Sequence, residues 1–202
     1  MTGFAKKTMN NVLIINTHHP YPSSGGALNA ALTDIARKQL ENMGCEVKVT
    51  RVAEGYDVQA EADKHAWADL VIVQGPVNWM SFPWSYKKYQ DEVYGALGGI
   101  LYDGDGRHRS DPALQYGSGG KNLGKKYMLS LTYNAPREAF DDEKQFLLHG
   151  KGVDDMFLPS HAAFRFMGME PLKTFVCYDV HKNPDIENDF ARYREHLDHL
   201  FD

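Results

Sequence analysis

Leu70-Val71-Ile72-Val73 runs without a polar break into Gln74-Gly75-Pro76-Val77-Asn78-Trp79-Met80-Ser81-Phe82-Pro83, a Pro-bounded segment with two large rings and a thioether. A short, wholly apolar run predicts a strand covered on both faces, as in a parallel sheet. In open α/β sheets ligands sit beyond the carboxyl ends of such strands, so Trp79, Met80 and Phe82 are expected to hold something planar. The alternative is that these three side chains plug the top of the core, the usual place of large apolar residues.

Two further loops can act at the same edge. Asn16 to Asn29, with His18, His19, Ser23, Ser24, Gly25 and Gly26, joins a predicted strand to a predicted helix. It offers hydroxyls and the N–H groups of a helix start to an anion. It lacks G-x-x-x-x-G-K-[ST] and G-x-G-x-x-G, which excludes a nucleotide-hydrolysing P-loop and a standard dinucleotide fingerprint and leaves a flavin phosphate or pyrophosphate. The alternative for Ser23 to Gly26 is an ordinary turn with a Ser helix cap. Adjacent His18 and His19 point their rings apart, so no metal site is expected. In Thr132-Tyr133-Asn134-Ala135-Pro136, the small Ala135 lets a ring approach, and Tyr133 and Asn134 are either donors to the developing charge of a reduced flavin or residues that shape the turn.

The elements that must position these loops alternate. Val12–Ile15, Glu46–Val52, Leu70–Val73, Lys126–Thr132 and Thr174–Tyr178 are predicted strands. Helices are predicted over 27–40, 58–67, 84–94, 155–167 (broken or started near Pro159) and 186–201, while the Gly-rich stretch 95–124 is an excursion over the surface. Strand–helix alternation implies an α/β fold with a doubly wound parallel sheet, and five strands imply the flavodoxin-like order 2-1-3-4-5.

With 202 residues, 43% of them hydrophobic, one domain with a sizeable core is expected, residues 1–10 being a probable extension. A formal charge of -5 and the absence of a Lys/Arg block argue against nucleic acid and anionic membranes as partners. Two isolated cysteines, Cys45 and Cys177, imply neither a disulfide framework nor zinc and fit a reducing compartment. The apolar run after Asn10 is too short for an export signal or a membrane span, so a cytoplasmic protein is expected.

Nearly the whole chain resembles the flavodoxin-like NAD(P)H:quinone reductase family. The likeness is carried by Val12–Asn16, Gly26-Ala27-Leu28-Asn29, Trp67-Ala68-Asp69, Pro76-Val77-Asn78-Trp79-Met80, Pro83-Trp84, Asp105-Gly106-Arg107, Tyr116-Gly117-Ser118-Gly119-Gly120, Gly124–Thr132, Asn134-Ala135-Pro136, Glu138-Ala139-Phe140 and Phe166–Leu172. The resemblance implies an FAD-dependent homodimer that passes two electrons from NADPH or NADH to a quinone by ping-pong turnover. It implies that Pro76, Val77, Asn78, Trp79, Met80, Phe82 and Thr132 to Ala135 border the flavin ring. His18, Ser24, Gly26, Ala27, Leu28 and Asn29 would meet its ribityl and pyrophosphate portions. His149 resembles a histidine near the active site of mammalian members, the alternative being a surface loop histidine, and Tyr116 is a second candidate for the pocket. In dimeric members part of each pocket comes from the second subunit. Two other functions remain open: a regulatory subunit that transiently contacts a potassium-efflux transporter, and a one-electron flavodoxin-type carrier.

Overall fold

A computed structural model describes residues 9–22 and 24–201. Residues 1–8 of the expected extension, and Ser23, lie outside the described residues. Strands β1 (Asn11–Asn16), β2 (Glu46–Arg51), β3 (Leu70–Pro76) and β4 (Lys126–Thr132) form the centre of a parallel sheet. The reason is visible in their side chains. Residues 12–16 of β1, 70–75 of β3 and 127–132 of β4 are buried on both faces, whereas edge strand β2 alternates and stays half-exposed.

Helices cover both faces. α1 (Ala27–Asn42) and α6 (Ile186–Asp198) bring Leu32, Leu40, Tyr193 and Leu197 against Ile14, Ile72 and Met128. On the other face α2 (Val58–Trp67), α3 (Trp84–Tyr89), α4 (Val153–Met156) and α5 (Leu158–Phe166) pack Tyr86, Tyr89 and Phe164 against Leu13, Val71 and Leu129. α1 stops where Gly44 takes φ +89, a left-handed conformation that Gly enters without a Cβ penalty. The 84–94 segment is helical as expected, with its last turn, Gln90–Tyr94, widened to a π-helix.

The expected five-strand order 2-1-3-4-5 needs one correction. The fifth position of the sheet is divided into β5 (Glu170–Pro171) and β6 (Phe175–Cys177), both parallel to β4, so there are six strands and β6 occupies the place beside the end of β4. Pro171 has no N–H to continue a ladder, and the chain leaves the sheet there and returns at Phe175. The 155–167 helix is likewise two helices, α4 and α5, meeting at Phe157, with Pro159 in the first turn of α5.

The register carries a consequence for the site. Asn16, Gln74 and Ser130 lie side by side on β1, β3 and β4, near the carboxyl ends where three loops leave the sheet.

Candidate functional site

Beyond those strand ends lies a cleft of about 980 Å³. The β1–α1 loop supplies Tyr21, Ser24, Gly25 and Gly26, and the first turn of α1 supplies Ala27, Leu28 and Asn29. The end of β3 and the loop after it supply Pro76, Val77, Asn78, Trp79 and Phe82, with Trp84 at the start of α3, and the end of β4 and the loop after it supply Thr132 and Asn134.

A buried polar network forms the floor. Gln74 Nε2 donates to Asn29 Oδ1 at 2.9 Å, Ser130 Oγ donates to Gln74 Oε1 at 2.6 Å, and Asn16 Nδ2 donates to Thr33 Oγ1 at 3.0 Å. All of these residues are buried, so the bonds satisfy groups that would otherwise be costly in the interior. Together they tie the start of α1 to three strands and fix where its N-terminus points.

That N-terminus suits an anion. Gly26, at φ +78, is the helix cap and has no side chain to occupy the N–H groups of the first turn. A Cβ on Gly25 would meet nothing within 4 Å, whereas one on Gly26 would lie 2.4 Å from the His18 ring. The loop therefore leaves open space above a helix start and packs His18 behind it. His18 Nε2 lies 3.2 Å from the Ser24 carbonyl, and burial holds this imidazole below its ordinary pKa, against a raising contribution from that carbonyl. An anionic group such as a phosphate fits here on the helix dipole and on space.

The aromatic loop divides its side chains between the two uses weighed above. Phe82 is 7% exposed and sits edge-on to Tyr86 and Phe157 at 5.0 Å each, so its ring belongs mainly to the core while reaching the cleft. Trp79 is 97% exposed on the cleft wall. It stands in a tight turn closed by Asn78 N–H to the Ser81 carbonyl (2.7 Å) and Ser81 N–H to the Asn78 carbonyl (3.1 Å), with Trp79 at φ +48 and Met80 at φ +66. Met80 does not line the cleft, and its sulfur accepts the Tyr133 hydroxyl at 3.2 Å.

Four other expected residues stand apart from the cleft lining. Tyr133 is buried, and its backbone N–H donates to the Cys177 carbonyl. Ala135 packs against the core, and its carbonyl accepts Asp179 N–H. Tyr116 is 70% exposed, beside Phe166 and under the Arg107 guanidinium. His149 is exposed at φ +45 in the 140–152 loop.

Tyr21 and Gly25 line the cleft from within the expected 16–29 loop, without a role assigned to either, while Trp84, Val180 and His181 were not expected in the site. The last two follow β6, and a fifth parallel strand must deliver its own loop to the same edge, so topology alone could have found them. Tyr21 and Trp84 flank the His19 ring edge-on at 5.3 and 5.0 Å, a contact between two loops distant in sequence that no local pattern reveals. Among the described residues no group of three or more potential metal ligands converges, and no helix is long and apolar enough to cross a membrane.

Comparison with known proteins agrees with this geometry. The family model for the flavodoxin-like fold matches residues 10–200. The chain is 45% identical over 191 residues to the NADPH:quinone oxidoreductase MdaB of Haemophilus influenzae, covering 95% of this chain and 99% of that protein. A presumptive quinone reductase of Klebsiella pneumoniae superposes with a TM-score of 0.76 at 28% identity, over 95% of this chain and 85% of that one. At the level of fold alone, general stress protein 14 of Treponema denticola, solved in complex with FMN, matches with a TM-score of 0.67 at 21% identity, over 94% of this chain and 99% of that one. The chain belongs to the flavodoxin-like NAD(P)H:quinone reductase family.

Proposed function

We propose that this chain is a cytoplasmic, homodimeric NAD(P)H:quinone oxidoreductase that holds FAD in the 980 Å³ cleft. The observation that carries this is the convergence on one cleft of an uncapped start of α1, an exposed Trp79 and the end of β4. When bound, a flavin relays two electrons, as hydride equivalents, from a nicotinamide nucleotide to a quinone. The family match supports this activity through the 45% identity to MdaB.

The residues present fit a flavin dinucleotide. Gly26, Ala27, Leu28 and Ser24 would receive the pyrophosphate at the N-terminus of α1, with His18 packed behind Gly26. Asn29 and Thr132 would face the ribityl chain and the ring edge, and Pro76, Val77, Asn78 and Trp79 would wall the ring on one side. Asn134, exposed on the cleft, would donate to the ring's pyrimidine edge and raise its affinity for electrons. One open ring face serves both substrates, so they would bind in succession, and turnover would be ping-pong. His149 and Tyr116 lie outside the cleft of a single chain; in the homodimer they would complete the pocket from the second copy, His149 stabilising charge or supplying a proton.

The deciding experiment is to purify the protein, release any flavin and identify it by mass, with initial rates measured over NADPH, NADH and quinone. FAD with parallel double-reciprocal lines is expected. FMN, which the Treponema denticola neighbour holds, would correct the cofactor. Protein that takes up no flavin from an excess would overturn the assignment.

A further inference from the structure

The turn that carries Trp79 is built against its own backbone preference. Two bulky residues in succession, Trp79 and Met80, take the left-handed conformation that Asn-Gly or Gly-Gly ordinarily fills. Strain of this kind persists only where the surroundings over-determine it, and it gathers where a side chain must be held for a purpose. The two reciprocal backbone bonds between Asn78 and Ser81 close the turn but do not anchor it to the rest of the molecule. Its flanks are held by Val77 N–H to the Thr132 carbonyl at 3.0 Å and by the buried Phe82, and its tip by a side chain from just beyond β4. The Tyr133 hydroxyl, carried at the end of β4, donates to Met80 Sδ at 3.2 Å and lies 3.5 Å from Met156 Sδ on α4.

Tyr133 itself is fixed. It is 7% exposed, its ring meets Phe140 edge-on at 5.2 Å, and its N–H is held by the Cys177 carbonyl at 2.8 Å. Met80, by contrast, is 44% exposed and has no comparable burial to hold it. A buried donor therefore meets a half-exposed acceptor within the turn, directly beside the exposed indole on the cleft wall.

We propose that Tyr133 is a positioning residue: through its hydroxyl bond to Met80 it holds the Trp79 turn in place, and so sets how tightly a flavin ring is held against the cleft. The proposal rests on the quinone reductase function proposed above. It assigns the Tyr133 side chain a different role from a direct donor to the flavin. Without the hydroxyl, the turn keeps its internal bonds and its flanking Val77 and Phe82 contacts, but its tip loses its own tie to the rest of the molecule and the wall carried by Trp79 is less preorganised.

The test uses Tyr133→Phe, Met80→Leu and the double variant in the full chain, each checked for an unchanged far-UV circular dichroism spectrum. Met80→Leu changes a half-exposed side chain and keeps its volume, so it provides a second route to the same lesion. Deuterium exchange of the 77–83 segment is measured on the flavin-free protein, and the Kd for FAD is measured by titrating that protein. Either single variant should exchange faster in 77–83 and raise the Kd for FAD about 3- to 10-fold, the scale of one neutral hydrogen bond. The double variant should be no worse than the singles, because both remove the same bond. Unchanged exchange in both single variants, or additive effects in the double variant, overturns the proposal. Wild-type protein that takes up no flavin overturns the functional assignment instead, and the exchange measurement then decides the role of Tyr133 by itself.

Discussion

Asn29, in the first turn of α1, donates its side-chain amide to Thr132 Oγ1 at the end of β4 across 3.1 Å, joining residues 103 positions apart. The same Asn29 accepts from Gln74 Nε2, so one side chain pins helix, central strand and β4 together beneath the cleft. Asn29→Leu would leave the Gln74 amide and the Thr132 hydroxyl without these partners in the interior, at a cost of about 1–3 kcal/mol for the groups left unpaired. Urea unfolding should show that loss. The Asn29→Leu/Gln74→Leu double variant should lose less than the sum of the two single effects, because the second substitution removes a group already orphaned.

Gly75, the residue after Gln74 on β3, leaves room for Thr17 that no side chain could share. A Cβ there would lie 1.8 Å from Thr17 Oγ1 and 3.1 Å from the Phe82 ring, in the interior of β3 where nothing can yield. Gly75→Ala should destabilise the fold by about 3 kcal/mol through overpacking. Thr17→Ala should restore part of that loss, since the Thr17 hydroxyl is buried without a partner among the described residues. Thermal unfolding of the single and double variants decides it; an unchanged midpoint for Gly75→Ala would mean that the strand and loop separate freely.

These two contacts mark what the sequence could and could not reveal. The run Leu70–Val73, followed by a Pro-bounded loop, is enough to place a buried strand and a cleft at its end, because continuous apolarity has one structural meaning in an α/β chain. Gln74, Ser130 and Thr33 carry no such signal. Their partners are fixed by register between strands far apart in sequence, and a lone Gln or Ser at a strand end looks the same whether it is solvated or networked. The divided fifth strand was hidden for a related reason: Glu170–Pro171 is two residues long and has no periodicity to read. Tyr133 shows the limit at the site, since its position in the loop was legible but the direction of its hydroxyl, toward Met80, depends on packing.

The pH dependence of folding should be governed in part by His65. This imidazole is fully enclosed, and burial, with lesser contributions from Lys125 and Lys64, lowers its pKa to about 3. Tyr89 donates its hydroxyl to Glu61 and so accepts from His65 Nε2, which leaves His65 Nδ1 buried without a partner and with no acceptor for a second proton. The folded state therefore keeps His65 neutral, while the unfolded chain takes up a proton near pH 6.5. Stability from this group is fully present above pH 6.5 and is lost as pH falls, reaching about 2 kcal/mol of loss at pH 5. Urea midpoints at pH 7 and pH 5 should show it, and His65→Gln should flatten that part of the profile; an equal slope in the variant would assign it to other groups.

Should His149 act on the reacting ring, His149→Ala would lower kcat by up to about 100-fold, the low end of a general acid–base contribution, and leave stability unchanged because the side chain is exposed. Mixing this variant with a cleft variant such as Trp79→Ala offers a sharper test. If each pocket draws His149 from the second copy, two impaired homodimers would gain activity in the mixed dimer, in which one pocket is intact. No recovery after subunit exchange, verified by native mass spectrometry, would exclude that sharing.

Trp79 sets stability against binding. Its indole is 97% exposed, so it contributes almost nothing to the core, and its φ of +48 costs about 1–2 kcal/mol relative to a residue at ease there. Trp79→Gly removes that strain but makes the unfolded chain more flexible, so the apoprotein should be as stable as wild type or more stable by up to about 1 kcal/mol. Flavin binding should move the other way. Losing a flat aromatic wall is expected to weaken the flavin by about 10-fold, the order of one ring contact. Differential scanning calorimetry of the apoprotein and flavin titration by fluorescence quenching give the two halves separately. A destabilised apoprotein would mean that the indole packs where the structure leaves it in solvent, and unchanged flavin affinity would remove Trp79 from the binding site.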